Sequence, residues 1–372
     1  MNSMMIRTKH LWRLVVAMGL FLLCTDAAAQ EAPKLNGTNI DDVLKAMTLE
    51  EKARLLVGGS YDFFEGGATV GGSSTTVPGA AGSTAVLSRF GIPATVLTDG
   101  PAGVRIFPTR KGDTKTYYAT AFPIGTALAC TWNTQLVEEI GRAIGNETKE
   151  YKCDVILGPG MNLHRNPLCG RNFEYFSEDP LLTGKIAAAY VRGVQSEGAG
   201  TSVKHFAVNS QETERMSIDE RVSQRALREL YLKGFEIAIR EGKPWTVMAS
   251  YNKVNGTLTQ ESRDLLTEIL RTDWGYEGMV MTDWIGKRNT AAQVHAGNDL
   301  MEPGQPQQVQ EIIDKVRSGE LDIKDVDINV RRILEYIVKT PTFNKYAASD
   351  APRTRAWFSS RTATPPYPSP RR

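Results

Sequence analysis

The run Gly278-Met279-Val280-Met281-Thr282-Asp283-Trp284 carries an apolar, β-compatible stretch onto a carboxylate followed by an indole. Gly278 breaks the amphipathic segment before it, so a parallel strand ending here would deliver Asp283 to the mouth of a barrel. There a carboxylate can attack or stabilise an oxocarbenium-like carbon, and the face of Trp284 would pack on the apolar C–H surface of a pyranose. In isolation Asp283 reads more simply as a cap after a core strand. Its company carries the argument.

Other strand-like segments also run into polar groups. Leu97-Thr98-Asp99-Gly100-Pro101 holds Asp99 at a forced turn, where the plain alternative is an Asx-turn. Val203-Lys204-His205-Phe206 ends on two adjacent cation-capable side chains, which share one face only if the strand bends there. Without such a bend His205 is a satisfied core residue. The long exit from His164 to Asp179 carries Arg171, whose rigid donor fork suits vicinal hydroxyls or a carboxylate; its structural alternative is an ion pair with Glu174 or Glu178. Met248-Ala249-Ser250-Tyr251-Asn252 closes another strand with a phenol suited to bonding a nucleophilic carboxylate, although Tyr251 alone would be an ordinary interface aromatic.

A repeating βα framework must position these groups. Strands are expected over Ala94 to Thr98, Asp154 to Leu157, Ser202 to Phe206, Thr246 to Ser250 and Met279 to Thr282. Amphipathic helices are expected between them, over Gln135 to Glu150, Leu181 to Ser196, Ser223 to Arg240 and Arg263 to Arg271. Thr48-Leu49-Glu50-Glu51 is a capping box that opens a helix from Glu50 to Leu56. Repeated βα units with short polar strand exits favour an α/β fold of the (β/α)8 TIM-like barrel type, irregular forms included, over a doubly wound sheet. The Gly-, Ser- and Thr-rich segment from Gly58 to Gly82 reads as a flexible surface loop, because no Gly-Lys-Ser/Thr signature follows it.

With 372 residues and 41% apolar content the chain can bury a large core. Arg7, Lys9 and Arg13, the apolar run Leu14 to Cys24 and Ala27-Ala28-Ala29 have the layout of a secretory signal peptide over 1–29, which predicts a periplasmic or secreted protein. The apolar run is too short for a membrane span. That leader contributes +2 and the five arginines after Pro352 contribute +5, which leaves about −5 on the body and gives no reason to expect a nucleic-acid partner. Residues 346–372 read as a disordered basic tail that begins abruptly, as a frameshifted or truncated reading would; the barrel domain is expected over 30–345. Cys130, Cys153 and Cys169 form an odd set without ligand spacing, and His164, His205 and His295 show no i, i+4 pairing. That spacing argues against a zinc or di-metal hydrolase, and no Gly-x-Ser-x-Gly elbow, Walker loop or Rossmann fingerprint calls for a cofactor.

With these segments in order, the chain resembles the N-terminal catalytic domain of glycoside hydrolase family 3, the β-glucosidase and β-xylosidase group, over about residues 40–340. The most specific element is Met281-Thr282-Asp283-Trp284, supported in family order by Thr98-Asp99-Gly100-Pro101, Gly170-Arg171-Asn172-Phe173-Glu174, Lys204-His205-Phe206, Glu214-Arg215 and Met248-Ala249-Ser250-Tyr251-Asn252. The resemblance implies Asp283 as nucleophile of an exported retaining β-glucosidase. It implies Asp99, Arg171, Lys204, His205, Arg215, Met248, Tyr251 and Trp284 as contacts for a β-glucoside or oligosaccharide, without metal or cofactor. Lys204-His205-Phe206 continues through Asn209, Glu212 and Arg215 without the Pro-Gly-His-Gly loop of the N-acetylglucosaminidase branch, which favours the glucosidase branch. Members of that branch take their acid/base Glu from a downstream sandwich domain, so a missing C-terminal domain is expected to complete the site. Glu174 and Glu214 are more naturally holders of Arg171 and Arg215 than substitutes for that acid. The rival readings are a catalytically impaired sugar-binding truncation product, a β-xylosidase, and an unrelated barrel such as an aldolase with Lys204 as Schiff-base former.

Overall fold

Buried apolar triplets and short polar exits build a ring of staves here. The computed structural model describes residues 32–59, 77–284 and 289–344. The leader expected over 1–29, the tail expected over 346–372 and most of the Gly-rich segment expected as a loop lie outside these residues.

Nine strands are present among the described residues: β1 (Gly82–Ser83), β2 (Val96–Asp99), β3 (Val155–Leu157), β4 (Gly200–Phe206), β5 (Asp219–Glu220), β6 (Thr246–Ala249), β7 (Lys253–Val254), β8 (Thr257–Leu258) and β9 (Met279–Met281). Six make one sheet in the order β1-β2-β3-β4-β6-β9, while β5, β7 and β8 form a small separate sheet. From β2 onward the neighbours run parallel, with Leu97 opposite Val155, Val155 opposite Gly200, Ser202 opposite Thr246 and Thr246 opposite Met279. In this sheet, among the described residues, β1 alone is antiparallel to its neighbour, while β7 and β8 pair antiparallel in the small one. Every residue of β3, β4, β6 and β9 is buried, as expected of a sheet covered on both faces.

Two further stretches close the sheet. Thr282 N donates to Leu300 O at 3.0 Å and Asp299 N to Val280 O at 2.8 Å, which lays 299–301 beside β9. Met301 N then donates to Leu56 O (2.9 Å) and Gly58 N to Met301 O (2.8 Å), and Gly59 N reaches Ser83 O of β1 at 2.6 Å. Eight staves therefore surround one axis, one of them reversed: the (β/α)8 expectation holds in an irregular form.

The helices expected from the pattern occur as Thr134–Glu150, Pro180–Ser196, the helical stretch 224–242 and Asp264–Asp273, the last wound at the wider π pitch. The capping box forms as read: Thr48 Oγ1 accepts from Glu51 N at 3.2 Å and Glu51 Oε2 from Thr48 N at 2.9 Å. The helices Pro306–Ser318 and Ile323–Ile337, which the sequence reading left unassigned, cover the other side of the ring together with Ile40–Ala46 and Leu49–Leu55.

The Gly58 to Gly82 expectation needs correcting at both of its described ends. Gly58 and Gly82 are buried barrel residues and not surface loop. A Cβ on Gly58 would lie 2.6 Å from Glu302 Oε2, and one on Gly82 would lie 2.7 Å from the same oxygen and 2.9 Å from Trp284 Cζ2. These glycines are there because the staves leave no room for a side chain.

Candidate active site

β2, β3, β4, β6 and β9 run parallel, so their C-terminal ends share one rim, and each hands a polar group to it. Asp99 ends β2, Arg171 and Glu174 follow β3, Lys204 and His205 lie near the C-terminal end of β4, Arg215 follows it, Tyr251 follows β6 and Asp283 follows β9. This is the end of a (β/α) barrel at which side chains from successive strands converge on a ligand.

β4 departs from a regular strand at the place the sequence required. Its register against β6 shifts between Val203 and Phe206, which lets the adjacent Lys204 and His205 both serve the site. Asn162 stands in for the interrupted ladder: its Nδ2 donates to His205 O at 2.9 Å and its Oδ1 accepts from His205 N at 2.9 Å. Lys204 Nζ donates to Asp99 Oδ1 at 2.9 Å, and Arg105 Nη1 stands 3.9 Å from the other carboxylate oxygen. Burial works to raise the Asp99 pKa, but the charge and hydrogen bond of Lys204, with help from the Gly100 amide and Arg105, bring it below the usual aspartate range.

Asp283 is held differently. Its side chain is only 12% exposed, its Oδ1 accepts from Trp284 N at 2.7 Å, and His205 Nε2 lies 3.7 Å from its Oδ2. The Tyr251 hydroxyl reaches both this carboxylate and the Trp284 carbonyl. Burial holds the Asp283 pKa above the ordinary range, against the pull of Arg171, Lys204, the Trp284 amide and the Tyr251 phenol. His205 is pushed well below its usual value, first by burial and then by Arg171, Lys204 and Arg215, so it stays neutral. Arg171 donates from Nε to Glu174 as anticipated. Arg215 lies over the Tyr251 ring, 5.1 Å from its centre.

Three expectations change. Glu212 and not Glu214 holds Arg215, through a 2.7 Å bond from Nη1 to Oε2; Glu214 instead accepts from Ser217 Oγ at 2.8 Å. The Trp284 indole, expected as an open stacking face, is 2% exposed and donates from Nε1 to Ala81 O at 2.9 Å, so it is built into the wall. Met248, expected to touch sugar, pairs with Met281 inside the ladder and is 2% exposed. Lys204, the amine an aldolase reading needs free, is occupied by Asp99. The sequence reading missed Arg105, Asn162, Tyr175, Asn209 and Glu212. Arg105 had a signal, since it lies in the turn that Asp99 opens and its amide bonds Asp99 O at 2.9 Å.

The model of the glycosyl hydrolase family 3 N-terminal domain matches residues 81–336. The chain belongs to glycosyl hydrolase family 3. This family 3 chain is 40% identical over 306 residues to the thermostable beta-glucosidase B of Acetivibrio thermocellus, covering 80% of this chain and 38% of that relative. It is also 40% identical over 301 residues to an exo-alpha-(1->6)-L-arabinopyranosidase of Bifidobacterium breve, of which it covers 37%. Among solved structures, beta-glucosidase 3B from Thermotoga neapolitana in complex with alpha-D-glucose superposes with a TM-score of 0.81 at 48% identity, over 86% of this chain and 45% of that one. The family 3 chain thus spans less than half the length of each of these proteins.

Proposed function

We propose that this chain carries the sugar-binding and nucleophilic half of a retaining β-glucosidase. The observation that supports this reading best is the arrangement around Asp283: a nearly buried carboxylate beside Arg171, Lys204 and His205 and bonded by Tyr251, at the rim where Asp99 is held ionised by Lys204. In this reading a terminal glucosyl residue lies with its distal hydroxyls on Asp99 and Lys204, donors meeting acceptors in fixed geometry. Arg171 and Tyr251 keep Asp283 aimed at C1. Asp283 attacks C1 as the glycosidic oxygen departs, and water then releases the sugar from the glycosyl-aspartate with retention. The glucose complex of the Thermotoga neapolitana neighbour supports glucose as the sugar, and the relatives named beta-glucosidase support the linkage.

Retention needs a second carboxyl roughly 5 Å from the first to protonate the leaving oxygen. Glu174, Glu212 and Asp99 are each committed to a cation. We therefore assign proton donation to a group outside the described residues, and the leader over 1–29 to export. Treatment with a fluorinated aryl glucoside, which forms the glycosyl-enzyme but hydrolyses it slowly, is expected to place one label on the peptide containing Asp283. A label on Glu174 or Asp99 would overturn the assignment.

A further inference from the structure

We propose that Tyr175 fixes His205 as the neutral tautomer with its proton on Nε2, through a directed chain of hydrogen bonds that starts at Glu212. The polarity of each link follows from the one before. Glu212 Oε2 accepts from Arg215 Nη1 at 2.7 Å, and in that ion pair the carboxylate offers acceptors alone. Its Oε1 lies 3.1 Å from the side-chain amide of Asn209, so the end of that amide facing it must be Nδ2; the opposite orientation would set a carbonyl oxygen against a carboxylate. The same Nδ2 is 3.2 Å from the Tyr175 hydroxyl and gives it its second proton. Tyr175 is completely buried, and His205 Nδ1 at 3.1 Å is the acceptor that its hydroxyl meets among the described residues, so the phenol proton avoids being buried unpaired only by going there. Nδ1 is therefore an acceptor, and the imidazole proton sits on Nε2, which faces Asp283 Oδ2 at 3.7 Å.

The consequence lies at the nucleophile. With the other tautomer, the Nε2 lone pair would confront the Asp283 carboxylate and offer nothing to a sugar hydroxyl. With this one, an N–H points into the space beside the attacking oxygen, ready to donate. Burial first, and then the neighbouring cations Arg171, Lys204 and Arg215, disfavour a second proton on the ring, so the directed chain chooses between two neutral forms. Asn162 completes the arrangement by fixing the His205 backbone from both sides. Tyr175 and Asn209 are on this account positioning residues that act through His205.

Nitrogen-15 NMR of the full chain labelled at histidine tests the tautomer directly, with the His205 signals assigned by their loss in His205→Gln. The expected spectrum at neutral pH shows a pyridine-type Nδ1 and a protonated Nε2 for His205. A protonated Nδ1, or a charged ring, would overturn the proposal. Tyr175→Phe, checked for folding by circular dichroism, is expected to move the Nδ1 resonance downfield as its donor disappears; an unchanged His205 spectrum would overturn the role of Tyr175. The catalytic consequence rests on the glucosidase reading: labelling of Asp283 by the fluorinated glucoside is expected to slow about ten-fold in Tyr175→Phe. Failure of the wild-type chain to label at all would count against that reading, while the wild-type spectrum would still decide the tautomer.

Discussion

Asp99 and Asp283 occupy one rim and are driven in opposite directions, one lowered by Lys204 and the other raised by burial. Carboxylates whose environments push them apart take different roles, in the proposed reading an ionised grip on hydroxyls and a nucleophile. Asp99→Asn is expected to weaken glucose binding about ten-fold or more, the loss of a charged hydrogen bond, with little change in melting temperature; titration calorimetry checks the first and scanning calorimetry the second. Glu302 is a different case: its carboxyl is buried, and neither oxygen has a partner among the described residues. Burial raises its pKa well above the ordinary value. The folded chain therefore keeps a proton that the unfolded chain releases, so stability falls as pH rises from the ordinary glutamate range toward the raised value, by about 1.4 kcal/mol per pH unit. Glu302→Gln is expected to remove that slope in denaturant titrations run at several pH values. At this scale the sequence showed the identities at the strand ends, because period and position announce them. It did not show which carboxylate holds Arg215 or that the indole is walled in, since both depend on contacts between distant segments such as Trp284 with Ala81.

Elements supply the precision that single residues borrow. Thr282 Oγ1 accepts from Glu302 N at 2.9 Å and donates to Glu302 O at 3.2 Å, so the end of β9 is fastened to the next stave one residue before Asp283. Gly82 lies against both Glu302 and Trp284. A methyl group there must displace one of them, and Gly82→Ala is expected to cost about 1–3 kcal/mol by overpacking and to slow Asp283 labelling, read together by thermal melting and mass spectrometry. The five parallel strands were legible because each is a short apolar run between polar exits. β1 was not, since two residues inside a Gly-rich stretch carry no period. Pro306–Ser318 and Ile323–Ile337 had readable boundaries in Pro306, Gly319 and Asp322, whose carboxylate caps Lys324 N at 2.9 Å. The wider pitch of Asp264–Asp273 leaves no mark in a pattern read at 3.6 residues per turn.

For the whole molecule, the proposed division of labour predicts a leaving-group dependence. Without a proton donor the alkoxide of cellobiose departs at high energy, whereas a nitrophenolate does not, so the chain is expected to favour activated aryl glucosides by about 100- to 10,000-fold beyond a complete enzyme's preference. Steady-state rates on both substrates check this, and efficient cellobiose cleavage would place the acid within this chain. The seam between 57–59 and 299–301 has a kinetic consequence of its own. Closing so long a loop adds little at equilibrium, about 0.6 kcal/mol for each doubling of length, yet contacts so far apart in the chain slow the search for the native ring. During synthesis the early stave waits on the order of tens of seconds for its partner. Through that interval the free margin of the early stave at 57–59 presents unpaired amides to any neighbouring chain, joined only at its end by that of β9. Aggregation is thus a hazard of the nascent protein: refolding yield should fall steeply with concentration, while the finished barrel, whose staves pair all round among the described residues, should show no such dependence.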